Sequence, residues 1–433
     1  MSAIDPTRPP PRVPPEISDN ILRCLNPSPY KDRKTLLHCM LVSHNWLPAS
    51  RYVLCSDPYI PSLEQAHLFL TRVVQVAPLS TAPLRRLSID VLDTKGHSPS
   101  LGAVLASLAI HAPNLEDLKL HHITSETSTI PPRSLLSISN LTKLVRLELC
   151  QCTFRSFSIL RRTLAALPHL RDLATRRVKF PISPNDTMVK SYTSPRPDLL
   201  SVSLLNTSSK RERDHLDVLL HFLANTSSCA SLNELTVKRG WAYGPTSSLF
   251  RASLARLLLA VDVFEFDDES DPREALSFLS SLRNVRKLSL RFFHATAGTV
   301  LEIVHGLVQG NSPNLVDFTL TVPLDALTLA TETDLIELAN LTSRRPFSTV
   351  KNARIRLHTY KYYDLDISGA QALEVMARMW PLISQDAQVD LTLFYSIFSG
   401  DVWEWNPEVK RGTSFWEGGK TWDRGTKTWK QCK

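Results

Sequence analysis

Apolar positions along this chain follow two different periods, and the change between them divides the sequence. Between residues 13 and 58 the period is helical. Pro14 and Pro15 suit a first helical turn, where a missing N–H costs nothing, and Glu16 suits the positive end of the helix dipole. Ile17, Ile21, Leu22 and Leu25 then recur at helical spacing until Asn26-Pro27-Ser28-Pro29 stops the helix. A second helical run carries Leu36, Leu37, Met40, Leu41 and His44, and a third begins near Trp46 and Pro48. Three short helices with apolar faces too large to satisfy one another leave an excess to bury against a partner or the rest of the chain.

A connecting helix, Leu63 to Val76, fills residues 59–80, and beyond it the period changes. The unit L-x-x-L-x-L, with apolar substitutes, begins at Leu84, Leu115, Leu144, Leu170, Leu199, Leu232, Val285, Leu315 and Val350. First positions are 31, 29, 26, 29, 33, 53, 30 and 35 residues apart, and a weaker unit at Leu254 (LARLLL) divides the gap of 53. Alternation within each unit predicts a strand of about five residues, too short to fold alone. Helical patterns lie between units, at Leu101–Ala109, Ile159–Leu167, Leu216–Leu223, Ala275–Leu282 and Val300–Leu307. Strand, helix, strand at this interval requires parallel strands with helices outside, and stacking the units buries one continuous core. Pro-Asn-Leu at 113–115 and 313–315, and Pro-His-Leu at 168–170, mark the same helix-to-strand corner. The expected fold is therefore α/β, a three-helix module at 13–58 followed by an irregular solenoid over 81–400. Residues 1–12, Pro-rich, read as a disordered leader; residues 401–433 read as a cap or tail.

The three-helix segment carries Val13-Pro14-Pro15-Glu16-Ile17, then Ile21, Leu22 and Leu25, then Leu41-Val42-Ser43-His44-Asn45-Trp46 closed by Ala49-Ser50-Arg51. With the repeats behind it, this resembles F-box proteins with leucine-rich repeats, including those numerous in mushroom-forming fungi. Such proteins are substrate receptors of SCF-type ubiquitin ligases. The resemblance implies that the module docks on a Skp adaptor, and through it a cullin scaffold. Pro14, Ile17, Ile21, Leu25, Leu41 and Val42 would supply the docking surface, and Trp46 would brace the helices from inside. Standard repeats place Asn or Cys at the ninth position. Cys152 fits that place, whereas Ile123, Val178, Thr207, Gly240 and Phe293 do not.

Composition narrows the chemistry. Only 13 of 433 residues are Gly, a poor supply for phosphate-cradling loops. The densest apolar run, Leu249–Phe264, carries Arg251, Arg256 and Asp262 and falls short of the ~18 residues of a membrane span, so no membrane partner is expected. Seven Cys without a C-x-x-C point to free thiols in the cytoplasm or nucleus. Cys150 and Cys152, near His121 and His122, suggest a metal, but Cys152 is better explained by the repeat turn; no metal or cofactor is expected. Gly418-Gly419-Lys420-Thr421 lacks the upstream Gly of a phosphate loop. No acid, base or nucleophile constellation appears, which predicts a non-catalytic protein. Trp403, Trp405, Trp416, Trp422 and Trp429 interleave with Lys and Arg in the tail, read first as a terminal cap.

On each predicted strand the fourth and sixth positions of the unit point inward, leaving the third, fifth and seventh on the concave face. That face turns basic at Lys238, Lys287, Arg291, Arg354 and Arg356 against Asp317, and these five basic residues are the expected client-binding positions. An acidic or phosphorylated polypeptide suits such a face. The alternative is a repeat scaffold outside a ubiquitin ligase. Its partners would be acidic proteins or, through Arg155, Arg161, Arg162, Arg171, Arg176, Arg177 and Lys179 and the tail, nucleic acid. The net charge of +8 does not by itself call for nucleic acid, which is not the expected partner.

Overall fold

The structure, a computed structural model, describes residues 15–25, 30–74, 84–91, 101–123, 137–180, 197–206, 210–239, 247–268, 273–310, 314–323, 330–342, 344, 350, 352–359, 389–395, 420–423 and 428–431. By internal packing the chain divides into two units, Met1–Leu170 and Arg171–Lys433. Residues 1–12 and Pro14 lie outside the described residues.

The first unit opens with helices α1 (Pro15–Cys24), α2 (Tyr30–Val42) and α3 (Leu47–Ser56). They close on Leu22, Leu36 and Val53, with Leu25, Cys39, Trp46, Ala49 and Leu54 packed around them. Strand β1 (Tyr59–Ile60) comes next, then α4 (Leu63–Phe69), which runs into a π-helical turn at Leu70–Val74. The strand ladder therefore starts at Tyr59, ahead of the connecting helix, rather than at residue 81. A two-residue strand leaves no periodic signal. Strands β2 (Arg86–Asp90), β3 (Asp117–His121) and β4 (Arg146–Cys150) follow in parallel, in the order β1-β2-β3-β4. Helices α5 (Leu101–His111) and α6 (Phe157–Ala165) complete the unit.

The second unit is a longer ladder of the same kind. Its parallel strands are β5 (Asp172–Arg176), β6 (Ser201–Asn206), β7 (Glu234–Arg239), β8 (Val263–Asp268), β9 (Lys287–Phe292), β10 (Asp317–Pro323), β11 (Asn352–Thr359) and β12 (Val389–Tyr395). Each pairs with its sequence neighbour. Two short antiparallel strands, β13 (Lys420–Asp423) and β14 (Thr428–Gln431), extend the sheet at β12, with Trp422 registered opposite Trp429. Lys420 and Thr421 thus sit on a strand, where a phosphate loop would need a helix start. Trp403, Trp405 and Trp416 fall outside the described residues. The connecting helices are α7 (Lys210–Ala224), the single turn α8 (Ser228–Ser231), α9 (Ser248–Leu257), α10 (Arg273–Leu279), α11 (Ala297–Gln309) and α12 (Glu332–Thr342).

All nine strong L-x-x-L-x-L units are strands, whereas the weaker one at Leu254 is not. That segment is helix α9, whose Leu254 and Leu257 are buried. The gap is divided instead by Val261-Asp262-Val263-Phe264-Glu265-Phe266, where Phe takes both inward Leu places. A repeated main-chain contact fixes this assignment. Two consecutive N–H groups of one unit donate to the second-position carbonyl of the unit before it. In the first unit Glu116 and Asp117 donate to Arg85, and Val145 and Arg146 donate to Glu116; in the second, Asp262 and Val263 donate to Asn233, and Arg286 and Lys287 donate to Asp262, all at 2.8–3.0 Å.

Strand ends come in two forms. His122, Gln151 and Arg177 hold φ of 55°, 55° and 53°, a left-handed turn that swings the ninth residue inward. Ile123, Cys152 and Val178 fill that place and are buried. From β7 onward the eighth residue stays on the strand and points inward instead, as Arg239, Asp268, Phe292 and Val322 do. An Asn or Cys at position nine has no task there, which is why the standard signature fades.

Around β8 the core is aromatic. Phe266 lies 4.9 Å from Phe278 and 6.3 Å from Phe292, centroid to centroid, and all three are fully buried. Phe266→Ala should cost about 3–5 kcal/mol, the usual range for emptying a buried aromatic site. Urea unfolding checks this, and a loss below about 1 kcal/mol would mean that 261–266 is not a core strand.

Candidate interaction surfaces

The helical module buries one set of apolar residues and leaves another in solvent. Leu22 and Leu36 are closed inside with Val53. Ile17 and Ile21, one turn apart on α1, are 49% and 54% exposed; Leu37 and Leu41, one turn apart on α2, are 46% and 85%, and Val42 is 73%. Soluble surfaces seldom leave large apolar side chains this open in groups unless they meet a partner. Of the expected docking residues, Ile17, Ile21, Leu41 and Val42 stand on this open surface. Leu25 does not, because it packs against the interior cluster, and Trp46 packs there too. Leu37 was not anticipated, although its i, i+4 spacing to Leu41 is visible in the sequence.

The module is tied to the first strand. Arg33 donates through Nη1 to the Tyr59 carbonyl at 3.0 Å. The Tyr59 hydroxyl donates to Asp90 Oδ2 at 3.1 Å, and the other oxygen of Asp90 meets His122 Nδ1 at 2.9 Å. Burial lowers the pKa of the neighbouring His121, opposed by Glu148 and Asp90. Register sets His121 opposite Cys150, but Cys152 turns its Sγ to the carbonyls of Leu120 and Cys150, at 3.5 and 3.4 Å. Burial pushes its thiol up to about 12. Among the described residues no group of three or more His, Cys, Asp or Glu is placed to hold a metal.

In the second unit Lys238, Lys287 and Arg291 stand on the open face of the sheet, on the side opposite the buried Val237, Leu288 and Leu290. Register places Arg354 beside Thr319 and Arg356 beside Thr321. The face is less basic than expected from Lys238 onward, because the unforeseen strand β8 inserts two acids. Glu265 Oε1 lies 3.2 Å from Lys238 Nζ. Asp267 Oδ2 lies 3.8 Å from Lys238 and 3.5 Å from Arg291 Nη1, while its Oδ1 is buried without a hydrogen bond. One residue further on, Asp268 and Arg239 form a closed pair at 2.7 Å, with Arg239 over the Phe250 ring. The basic run 155–179 is divided between the two units, and Arg171 there pairs with Asp198 at 3.9 Å.

Burial raises the Asp267 carboxyl to about 6, against the lowering pull of Arg291 and Lys238.

No protein-family model matches the chain, and a search of curated proteins gave no match. Among solved structures the chain is similar to the leucine-rich repeat-containing protein LegL7 from Legionella pneumophila. The TM-score is 0.40 at 13% identity, over 79% of this chain and 91% of that one. At that level the likeness carries no argument. The α/β leucine-rich-repeat-like class rests on the parallel register, the inward apolar rows and the helices that join the strands. No helix among the described residues is long and apolar enough to cross a membrane.

The Asp267 shift has a measurable sign. A carboxyl that holds its proton more tightly when folded stabilises fully below its unfolded pKa of about 4, and that contribution is lost as pH rises through about 6. Asp267→Asn should therefore be more stable than wild type at pH 7.5, by about 1–2 kcal/mol, and should lack the loss between pH 4 and 6. Denaturant melts across that range decide it; an Asn variant with the wild-type pH slope would refute the assignment.

Proposed function

We propose that the chain is an F-box substrate receptor, a non-catalytic subunit that docks on a Skp adaptor and presents a client held by its repeats. The observation that carries this is the split within the helical module. Four of the six sequence positions that resemble the F-box docking residues, Ile17, Ile21, Leu41 and Val42, are left open, while Leu22, Leu36 and Val53 close the interior without them. The fold of the module does not need Ile17, Ile21, Leu41 or Val42 to be apolar, so their character is best explained by a partner that covers them.

The ladder supports the second half of the reading. Short parallel strands with outer helices leave one sheet face open, bearing alternate polar side chains that a polypeptide can meet. Taken alone, the ladder supports the coarser role of a protein-interaction scaffold; the open apolar surface of the module favours the receptor.

Co-purification with a Skp adaptor tests this. Wild type should be captured, and Ile17→Asp plus Leu41→Asp should lose capture by at least about tenfold, with an unchanged circular dichroism spectrum, since both side chains are exposed. Equal capture of the double variant, or none by a folded wild type, would leave the scaffold reading.

A further inference from the structure

The helices of the second unit enclose a cleft that the proposed receptor role does not use. It holds about 670 Å³ between α10, α11 and α12, within the range of sites that take a ligand or a partner's side chains. Leu279 is buried and Leu276 and Leu301 are half-buried, so its floor is apolar. Space is left by Gly306 in the third turn of α11, where a Cβ would stand 2.9 Å from Leu279 Cδ1. The backbone there is helical, so no left-handed turn calls for glycine, and α11 gives up helix propensity at that position.

The rim is acidic. Glu302 from α11 and Glu337 from α12 stand on it, both exposed, and no Lys or Arg is among the described residues that line the cleft. His305 and Gln309, also on the rim, hydrogen-bond each other at 2.7 Å. Glu302 meets Arg273 Nε at 3.7 Å, an exposed pair that water and salt weaken. Glu337 makes no hydrogen bond or ion pair among the described residues. The chain as a whole is basic, at +8, yet α11 and α12 together hold Glu302, Glu332, Asp334 and Glu337 and no Lys or Arg.

We propose that this cleft docks a basic amphipathic helix of a protein partner, whose apolar row enters over Leu276, Leu279 and Leu301 while its Lys or Arg side chains meet Glu302 and Glu337. Charge complementarity selects the occupant. Acids around an apolar floor repel the phosphates of nucleic acid and of anionic lipid, and a basic segment without apolar residues leaves the floor in water. A cleft between helices suits a row of side chains at i, i+3, i+4 and i+7. On such a helix Lys and Arg flank the apolar row, so they reach acids on two different helices while their stems cover more of the floor. On binding, Glu302 exchanges Arg273 for a cation of the partner, and Glu337 gains one. The cleft belongs to the second unit and the adaptor surface to the first, so this site stands whether or not the receptor reading holds.

The test is fluorescence anisotropy of the full chain with a labelled (Leu-Lys-Lys-Leu-Leu-Lys-Leu)2 peptide. The controls (Leu-Glu-Glu-Leu-Leu-Glu-Leu)2 and (Ser-Lys-Lys-Ser-Ser-Lys-Ser)2 keep only the apolar row or only the charge. Wild type should bind the basic amphipathic peptide at least about tenfold more tightly than either control. Glu302→Lys with Glu337→Lys should weaken that binding at least about tenfold. The same change of charge at two exposed acids outside the cleft, Glu116→Lys with Glu234→Lys, should alter it less than about twofold. Gly306→Met fills the cleft without changing charge and should also weaken binding, with an unchanged circular dichroism spectrum, since Leu279 Cδ1 is the end of a flexible side chain. If that variant does not fold, the charge reversals alone decide. The assignment is overturned by equal binding of the basic amphipathic peptide and either control, by no effect of the Glu302 and Glu337 reversals, or by equal weakening from both pairs of reversals. Self-association of the chain that the Glu302 and Glu337 reversals abolish would give the cleft to a second copy and overturn the partner assignment.

Discussion

Everything in the two ladders depends on one main-chain contact: two successive amides of a repeat converge on one carbonyl of the repeat before it. Among the described residues seven carbonyls take this role, from Arg85 and Glu116 in the first unit to Arg171, Leu200, Asn233, Asp262 and Arg286 in the second. The contact sits at the corner where the chain turns from helix into strand, so it sets the register before any side chain is considered. Once it forms, the fourth and sixth positions of each unit face inward and stack on those of the next, as Leu118 does on Leu147 and Phe264 on Leu288. A strand of five residues gains too little alone, and the stack supplies the burial. The constraint has costs: three non-glycine residues among those described take left-handed turns, each at about 1–2 kcal/mol.

The helical module obeys a different rule. It is small, and its interior is closed by three buried residues and their neighbours. Its remaining apolar side chains have nowhere to go within the described residues of the first unit. Arg33 and Tyr59 join it to the first strand, and Tyr59 is held in turn through Asp90 and His122. That chain of polar contacts fixes the module to the ladder while the open edges of α1 and α2 stay clear. Attachment and exposure are thus separate properties of different residues.

Much of this was legible in the sequence. The helical period at Ile17, Leu22, Leu36 and Leu41 marked the module, and L-x-x-L-x-L at steady spacing marked nine strands. The failures have physical causes. Phe264 and Phe266 replace the leucines of β8, so a search for leucine preferred Leu254, whose own pattern is equally helical. Missing β8 hid Glu265 and Asp267 and made the open face look more basic than it is. Strand β1 is two residues long and carries no period. Leu25 follows directly on the helix of Ile17 and Ile21 and shares its apolar spacing, and only packing against Leu22 and its neighbours shows that it turns inward. The buried Arg239–Asp268 pair looks in sequence like two more surface charges. Its burial follows from the eighth position staying on the strand.

The central claim is that α1 and the end of α2 are a docking surface separate from the ladder, and hydrogen–deuterium exchange of the full chain with and without a Skp adaptor tests it most directly. The account predicts added protection in Pro15–Cys24 and in the last turns of Tyr30–Val42, with the strands from β2 onward unchanged. Protection confined to the strands, or none in either helix while the adaptor is bound, would contradict it.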